Sequence, residues 1–498
     1  MQKRIISINA IMSLVQVVLV SGILFFLYRF ILNTIGVEKF GIWSLVLATT
    51  SLIQVANLGL SGSVVKFVAK YIARKEDKNV SEVIQTATVS LGVIIGFVLL
   101  AGFPLIKWVL ALVLSAGSIS LALKILPYSL FSLWLTAITS VFQSGLDGFQ
   151  RIYIRNLLVI GGSVFYALLC FLFAPKYELI GLAYAQVISN ILILIVSWFL
   201  IKLLLPALPI VPYRWNRALF KEIISYGINF QIISITQMFY DPITKALLSK
   251  FGGLSMVGYY EMANKMILQF RSLIVSANRV LVPAIADLQE KSPERIRSVY
   301  LTNYNLLFYL TLPFYTLIII SAPLISEIWI GHYEKIFVNF TILLSIGWFL
   351  NTLNVPAYFA NLGTGELRWN VIGHIVIGVL NALLGIILGL LFNGYGVVVA
   401  WIIALSIGSA VIYVAYHVSN SIPLIELFPQ KSRPIFFVCT LIILIHSLFI
   451  SIRFNLTFEL LSFYFIILLI SILLIFVTFY LHPLRKKVMN WMSELVKK

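Results

Sequence analysis

Apolar residues run through this chain in long blocks, separated by short polar segments. Crossing a bilayer as a helix takes about 20 mostly apolar residues. Blocks of that length fall at roughly 5–32, 42–69, 84–109, 125–146, 153–174, 179–204, 222–249, 257–284, 299–321, 336–361, 369–392, 395–417, 434–452 and 459–481. The pattern predicts an all-α polytopic membrane protein with about 14 transmembrane helices. No connection between blocks is longer than about 20 residues, which leaves no room for a soluble catalytic domain. The first block is too long for a signal-peptide core and lacks a small-residue cleavage site, so it reads as a retained helix.

Basic residues in the connections give the orientation. With both termini cytoplasmic, the inner segments hold Lys3 and Arg4, the run Lys70 to Lys78, Arg151 and Arg155, and the group Lys202 to Lys221. Further on they hold Lys291, Arg295 and Arg297, then Arg368, Lys431 and Arg433, and the tail from Arg485 to Lys498. That makes about 23 basic residues inside against about six outside, the asymmetry expected of cytoplasmic loops. The predicted location is the cell membrane.

The two halves repeat one another. Gly36-Val37-Glu38-Lys39-Phe40-Gly41-Ile42-Trp43 precedes the second block, and Gly253-Leu254-Ser255-Met256-Val257-Gly258-Tyr259-Tyr260 precedes the eighth, an offset of 217 positions. Gly148 and Arg151 match Gly365 and Arg368 at the same offset, and Gly181 falls near Gly396 at 215. The expected organisation is two pseudo-symmetric six-helix lobes, residues 1–210 and 211–420, around a central cavity, with an added helix pair and basic tail over 421–498. Duplicated bundles of this kind are the usual build of secondary transporters, with the substrate site near the membrane centre.

Polar side chains inside the apolar blocks are costly and mark wet cavities or partners. At 100° per residue, Glu261, Lys265, Gln269, Ser272, Ser276 and Arg279 of block 8 share one face. Block 7 carries Ser234, Gln237, Asp241 and Lys245 as a similar stripe, with Pro242 weakening the helix beside it. Block 2 aligns Thr50, Gln54, Asn57 and Ser61, with Gly59 and Gly62 allowing a bend, and block 1 aligns Asn9, Ser13 and Gln16. Such faces suit a central hydrophilic cavity. The competing structural reading is that Asp241 with Lys245 and Glu261 with Lys265 are self-neutralised i, i+4 pairs that pack one helix to its neighbour. Arg29 and Lys66 lie near block ends, where they can snorkel to the headgroups. Arg271 stands about 120° from the block 8 stripe on a helix of 100° per residue. Across blocks 1, 2, 7 and 8 the cations Arg29, Lys66, Lys245, Lys265, Arg271 and Arg279 outnumber the acids Asp241 and Glu261. A cavity so charged suits an anionic group such as a phosphate or pyrophosphate.

Composition narrows the classes further. Hydrophobic residues make up 61% and charged residues 11%, with mean hydropathy +1.02, more apolar surface than a soluble fold hides. Most of the Lys and Arg behind the net charge of +18 lie in the connections, and no basic stretch interleaved with exposed aromatics looks like a nucleic-acid surface. Cys170 and Cys439 lie within apolar blocks, as small buried hydrophobes do. His332, His374, His417, His446 and His482 are scattered without metal-ligand spacing, and no phosphate-binding Gly-rich loop is present. No metal or cofactor is expected, and the chain reads as no enzyme. Transport then draws on a sodium or proton gradient, on a partner, or on the substrate's own gradient.

The stretch from Thr34 to Asp77 resembles the polysaccharide flippases of the multidrug/oligosaccharidyl-lipid/polysaccharide exporter superfamily, the Wzx type. The likeness rests on Ile35-Gly36 through Gly41-Ile42-Trp43, on Asn57-Leu58-Gly59-Leu60 and on the basic segment Lys70 to Lys78. Val257 through Lys265 and Val282-Pro283-Ala284-Ile285-Ala286-Asp287 are also similar to that family. The resemblance implies a flippase carrying a polyprenyl-pyrophosphate-linked oligosaccharide from the inner to the outer leaflet, for capsule, O-antigen or exopolysaccharide synthesis, by alternating access. It implies that Arg271, Arg279, Lys265 and Lys245, with Arg29 and Lys66, meet the pyrophosphate. Asp241, Glu261, Gln237, Gln269, Gln54, Asn57 and Gln16 are then cavity polar or coupling positions. Asn57 departs from the family, where many members carry an acid before Leu-Gly-Leu. Polysaccharide polymerase machinery is the implied partner. A lipid II flippase of peptidoglycan synthesis, a multidrug/cation antiporter and a polytopic polysaccharide polymerase or ligase are the alternatives. The antiporter would want acids in excess, and the last class usually needs a large outer loop.

Overall fold

The computed structural model of the chain describes residues 2–52, 60–228, 231–452 and 458–485. All regular structure among them is helical. The elements are α1 (Gln2–Ile35), α2 (Val37–Ser51), α3 (Leu60–Ala73), α4 (Asp77–Val113), α5 (Ala116–Gly148) and α6 (Ile152–Leu204). Next come α7 (Arg217–Ile228), α8 (Gln231–Met238), α9 (Tyr240–Gly252), α10 (Leu254–Asn278), α11 (Leu281–Lys291) and α12 (Glu294–Ile330). The chain continues through α13 (Lys335–Thr352), α14 (Val355–Thr364), α15 (Arg368–Ser419), α16 (Arg433–Ile452) and α17 (Phe458–Leu481). Nine segments of the described chain are long and apolar enough to cross a membrane. Phe97 and Leu100 on α4, Leu390 on α15 and Leu473 on α17 stand exposed, as lipid-facing side chains do. The chain is a multi-pass membrane protein.

Among the described residues two of the blocks with marked polar stripes, 222–249 and 257–284, are broken, and 336–361 is interrupted between α13 and α14. Proline causes two of the breaks. Pro242 has no N–H for the Met238 carbonyl, and Phe239 N turns to Thr236 O at 3.3 Å, which separates α8 from α9. Pro283 leaves the Arg279 carbonyl to Val282 N at 3.3 Å, and the chain turns between α10 and α11. In block 2 the bend expected at Gly59 falls within 53–59, outside the described residues.

The repeat is carried into the backbone. Gly36 opens α2 at φ 81°, ψ 162°, and Gly253 opens α10 at φ 82°, ψ 171°, in a region that a Cβ disfavours. α4 and α12 are both 37 residues long, with starts 217 positions apart. Within the long α6 and α15, Glu178 (φ 49°, ψ −126°) and Asn393 (φ 55°, ψ −146°) break the helix at equivalent places, 215 positions apart.

The described chain forms two compact units, Met1–Met262 with Gly385–Val397, and Ala263–Leu384 with Val398–Lys498. In the first unit α1 packs along α6. Asn9 Nδ2 donates to Gln150 O at 3.2 Å, Tyr153 N donates to Asn9 Oδ1 at 3.0 Å, and Asn156 Nδ2 donates to Ser13 Oγ at 3.0 Å. The second unit is centred on α12, whose buried tyrosines satisfy their hydroxyls on neighbouring elements. Tyr300 Oη bonds His417 Nε2 at 2.8 Å, Tyr304 donates to Leu427 O at 2.9 Å, and Tyr309 donates to Phe479 O at 2.7 Å. These bonds tie the end of α15, the 3-10 turn Leu424–Leu427 after it, and the end of α17 to α12.

Candidate functional site

Charged side chains gather in the first unit where the turn at Gly253 folds α10 back beside α9. Asp241 and Lys245 lie one turn apart on α9, and Lys245 Nζ is 2.6 Å from Asp241 Oδ2. The same ammonium is 2.6 Å from Glu261 Oε2 on α10. Lys245 is only 4% exposed and Glu261 8%, whereas Asp241 keeps 43% of its side chain open. Tyr28 of α1 adds a hydroxyl donor, 3.4 Å from Glu261 Oε1. A buried ammonium is tolerated when carboxylates compensate its lost hydration, and two do so here. The charge of Lys245 is thus engaged within the fold. The first of the expected i, i+4 pairs is present, and Glu261 joins it across the turn.

Arg271 sits in the second unit in different company. α10 runs unbroken from Leu254 to Asn278, so Arg271 keeps to a face of its own, off the stripe of Glu261, Lys265 and Gln269. Its Nη2 donates to Asn351 Oδ1 at 2.6 Å, and its guanidinium lies 4.9 Å from the Trp348 ring centroid. Trp348 is oriented in turn by Nε1 donating to Asn264 Oδ1 at 2.9 Å. Asn351 Nδ2 donates to Ser409 Oγ at 2.7 Å. Arg271 Nε is buried with no hydrogen-bond acceptor, and no carboxylate pairs with this guanidinium among the described residues. Tyr315, Tyr358 and His374 lie within electrostatic reach of it, and Tyr358 also feels Arg279. Arg279 is exposed at the break between α10 and α11.

The other sequence candidates are dispersed. Arg29 on α1 is exposed, and Lys66 on α3 is exposed beside the Phe67 ring, at 5.5 Å. Gln237 on α8 and Lys265 on α10 are exposed, while Gln16 and Gln269 are half-buried. Gln54 and Asn57 lie outside the described residues. Asn9 and Ser13, grouped with Gln16 on one face, serve the packing of α1 on α6. Among the described residues no group of His, Cys, Asp or Glu could hold a metal ion. Sequence reasoning missed the set Asn264, Trp348, Asn351 and Ser409; its signal was the Trp and Asn three positions apart in block 10.

Residues 31–337 match the model of the polysaccharide biosynthesis protein family. The chain belongs to that family. A Shigella flexneri protein named "Putative O-antigen transporter" is 22% identical over 360 residues, covering 69% of this chain and 82% of its own length. Among solved structures, the lipid II flippase MurJ in an inward closed conformation superposes with TM-score 0.68 at 16% identity, over 94% of this chain and 97% of that one. An inward-facing multidrug resistance MATE family transporter of the MOP superfamily gives TM-score 0.67 at 17% identity, over 82% and 94%. A MOP superfamily transporter from Pyrococcus furiosus gives 0.59 at 14% identity, over 84% and 95%. The fold of this polysaccharide biosynthesis family member is therefore that of the MOP transporters, as the resemblance in Thr34 to Asp77 implied.

Proposed function

We propose that this protein is a flippase that moves a polyprenyl-pyrophosphate-linked oligosaccharide from the inner to the outer leaflet of the cell membrane for surface polysaccharide synthesis, by alternating access. The observation that carries the reading is Arg271, a cation on α10, in a block expected to span, that no carboxylate pairs among the described residues. Within a membrane segment a cation is kept only where function repays its cost, and a guanidinium fork matches the oxygens of a pyrophosphate. Family membership supports polysaccharide synthesis as the setting, and the name of the Shigella relative, an O-antigen transporter, supports transport of a surface polysaccharide. Arg271 and Arg279 are the direct anion ligands in this reading, and the exposed Lys265, Arg29 and Lys66 add to the positive field. Lys245, held by Asp241 and Glu261, belongs to the frame or to ion coupling. Two six-helix lobes, 1–210 and 211–420, with both termini cytoplasmic, complete the picture, and polymerase machinery would receive the product.

The test is a leaflet assay in proteoliposomes with a labelled polyprenyl-pyrophosphate oligosaccharide, under a proton or a sodium gradient. Protein-dependent appearance of the sugar in the opposite leaflet, lost in Arg271→Ala and Arg279→Ala with expression intact, is the expected result. Movement of lipid II alone would reassign the cargo. Full activity in both single variants would remove the anion site from these arginines.

A further inference from the structure

We infer that Asn351 and Trp348 are positioning residues that hold Arg271 in place with neutral groups, so that its charge is left uncancelled for the phosphate-type anion; this rests on the reading of Arg271 given above. A carboxylate would fix a guanidinium more firmly than any amide, and would also neutralise it. Here the fixing is done by the Asn351 carbonyl oxygen at 2.6 Å from Nη2 and by the Trp348 face at 4.9 Å. Both are attractive to a cation, through a dipole and a ring quadrupole, and neither carries net charge.

The clamp is built so that the amide faces one way. Ser409 donates its own hydroxyl hydrogen to Leu405 O at 2.6 Å. Its oxygen is then left only as an acceptor, which takes Asn351 Nδ2 at 2.7 Å and turns Oδ1 to the arginine. Trp348 is fixed similarly, by its indole N–H on Asn264 Oδ1 at 2.9 Å and by an edge contact with Trp401 at 6.0 Å between centroids. Asn351 is 4% exposed and Ser409 fully buried, so this relay lies away from water and is not a surface accident. Arg271 Nε stays without an acceptor in the same surroundings. An arginine restrained at one nitrogen and along its face, with other N–H groups unspent, is preorganised for an anion it has yet to meet.

The discriminating variant is Asn351→Asp, nearly isosteric, which places a carboxylate on Nη2. Binding of inorganic pyrophosphate to the full-length protein in nanodiscs is measured by calorimetry, alongside thermal stability. The expected result is binding weaker by at least about tenfold, a free-energy change of about 1.4 kcal/mol, with melting temperature unchanged or raised by the new ion pair. A merely structural amide would show loss of stability in step with loss of binding. In the background of Arg271→Ala, Asn351→Asp is expected to add no further loss. Should Asn351→Asp fail to fold, Ser409→Ala decides, because it frees the amide to turn; binding weakened by about threefold is then expected, and unchanged binding overturns the inference. Wild-type affinity in folded Asn351→Asp, with binding lost in Arg271→Ala, refutes the clamp and leaves Arg271 as the ligand. Wild-type affinity in Arg271→Ala refutes the anion reading itself.

Discussion

Gly41 and Gly258 stand at equivalent places in the two halves of the chain, and each lies against the helix start that carries the other. A Cβ on Gly41 would stand 2.1 Å from Leu254 O, and one on Gly258 would stand 2.7 Å from Val37 O. Val37 and Leu254 are themselves repeat equivalents, so the crossing of α2 and α10 is a local two-fold contact made through bare backbone. A side chain at either glycine has to push one helix off the other, because the obstructing atom is a carbonyl. We expect Gly41→Val or Gly258→Val to destabilise the protein by about 1–3 kcal/mol, as overpacking does. Gly22→Ala, with nothing within 4 Å, serves as the neutral control. Thermal unfolding in detergent checks the contrast, and equal melting of all three variants would contradict it.

Lys245 gives a second prediction. Lys245→Met takes the ammonium from a Glu261 side chain only 8% exposed, and removal of one partner of a buried pair costs about 3–5 kcal/mol. Adding Glu261→Gln is expected to restore much of that loss, since the carboxylate that needed compensation is gone. A double-mutant cycle on thermal stability reads the coupling, and strictly additive losses would show that the pair does not act as a unit.

Tyr300 and His417 are both buried, with Oη and Nε2 2.8 Å apart. Tyr300→Phe strands a ring nitrogen out of reach of water, at a cost of about 1–3 kcal/mol. Tyr413, exposed to a greater degree, should tolerate the same change with a smaller loss. Near-equal melting temperatures for the two variants would argue against the bond.

His482, just beyond the end of α17, stacks on Tyr309 at 4.2 Å and shares a hydrogen bond with Ser432 Oγ at 3.1 Å. Burial holds its imidazole below the ordinary histidine range. The neutral ring is the form the fold favours, so its contribution is present above about pH 6.5 and is lost as pH falls toward the lower folded value. Melting temperature should therefore drop on acidification from neutral pH, and His482→Gln should show a shallower drop. An identical pH slope in both proteins would remove His482 from the effect.

Much of this architecture is legible from the order of residues. Glycine spacing announced the repeat because Gly36 and Gly253 sit at backbone angles that other residues avoid, and such positions keep their identity. Pro242 and Pro283 likewise mark real breaks, since a missing N–H acts locally. The Asp241–Lys245 pair is local in the same way. What periodicity does not reveal is which face meets which partner. Asn9 and Ser13 look like cavity residues on a helical projection, yet their groups are spent on Gln150, Tyr153 and Asn156. Arg271 looks misplaced on that projection because its acceptor comes from Asn351, 80 positions away. A helical stripe reports polarity and is silent about the neighbour that satisfies it.

The kinks at Glu178 and Asn393 bear on where this chain tolerates being opened. Each reverses helix direction almost within a single residue, and each is cinched a few positions on: a Cβ on Gly181 would meet Phe173 O at 2.4 Å, and one on Gly396 would meet Leu388 O at 1.9 Å. Nothing there can be paid out as slack. Epitope tags, protease sites or fluorescent-protein insertions placed at 178 or 393 would have to pry apart two helices in backbone contact. The 3-10 turns between α15 and α16 are no safer, since Tyr304 grips the Leu427 carbonyl. The connection from Pro206 to Asn216, between α6 and α7, is pinned as well, since Gln85 accepts from Tyr213 N and Arg214 N and the Trp215 indole donates to Ser90 Oγ; only around the exposed Ile210 and Val211 does it stand clear for a label.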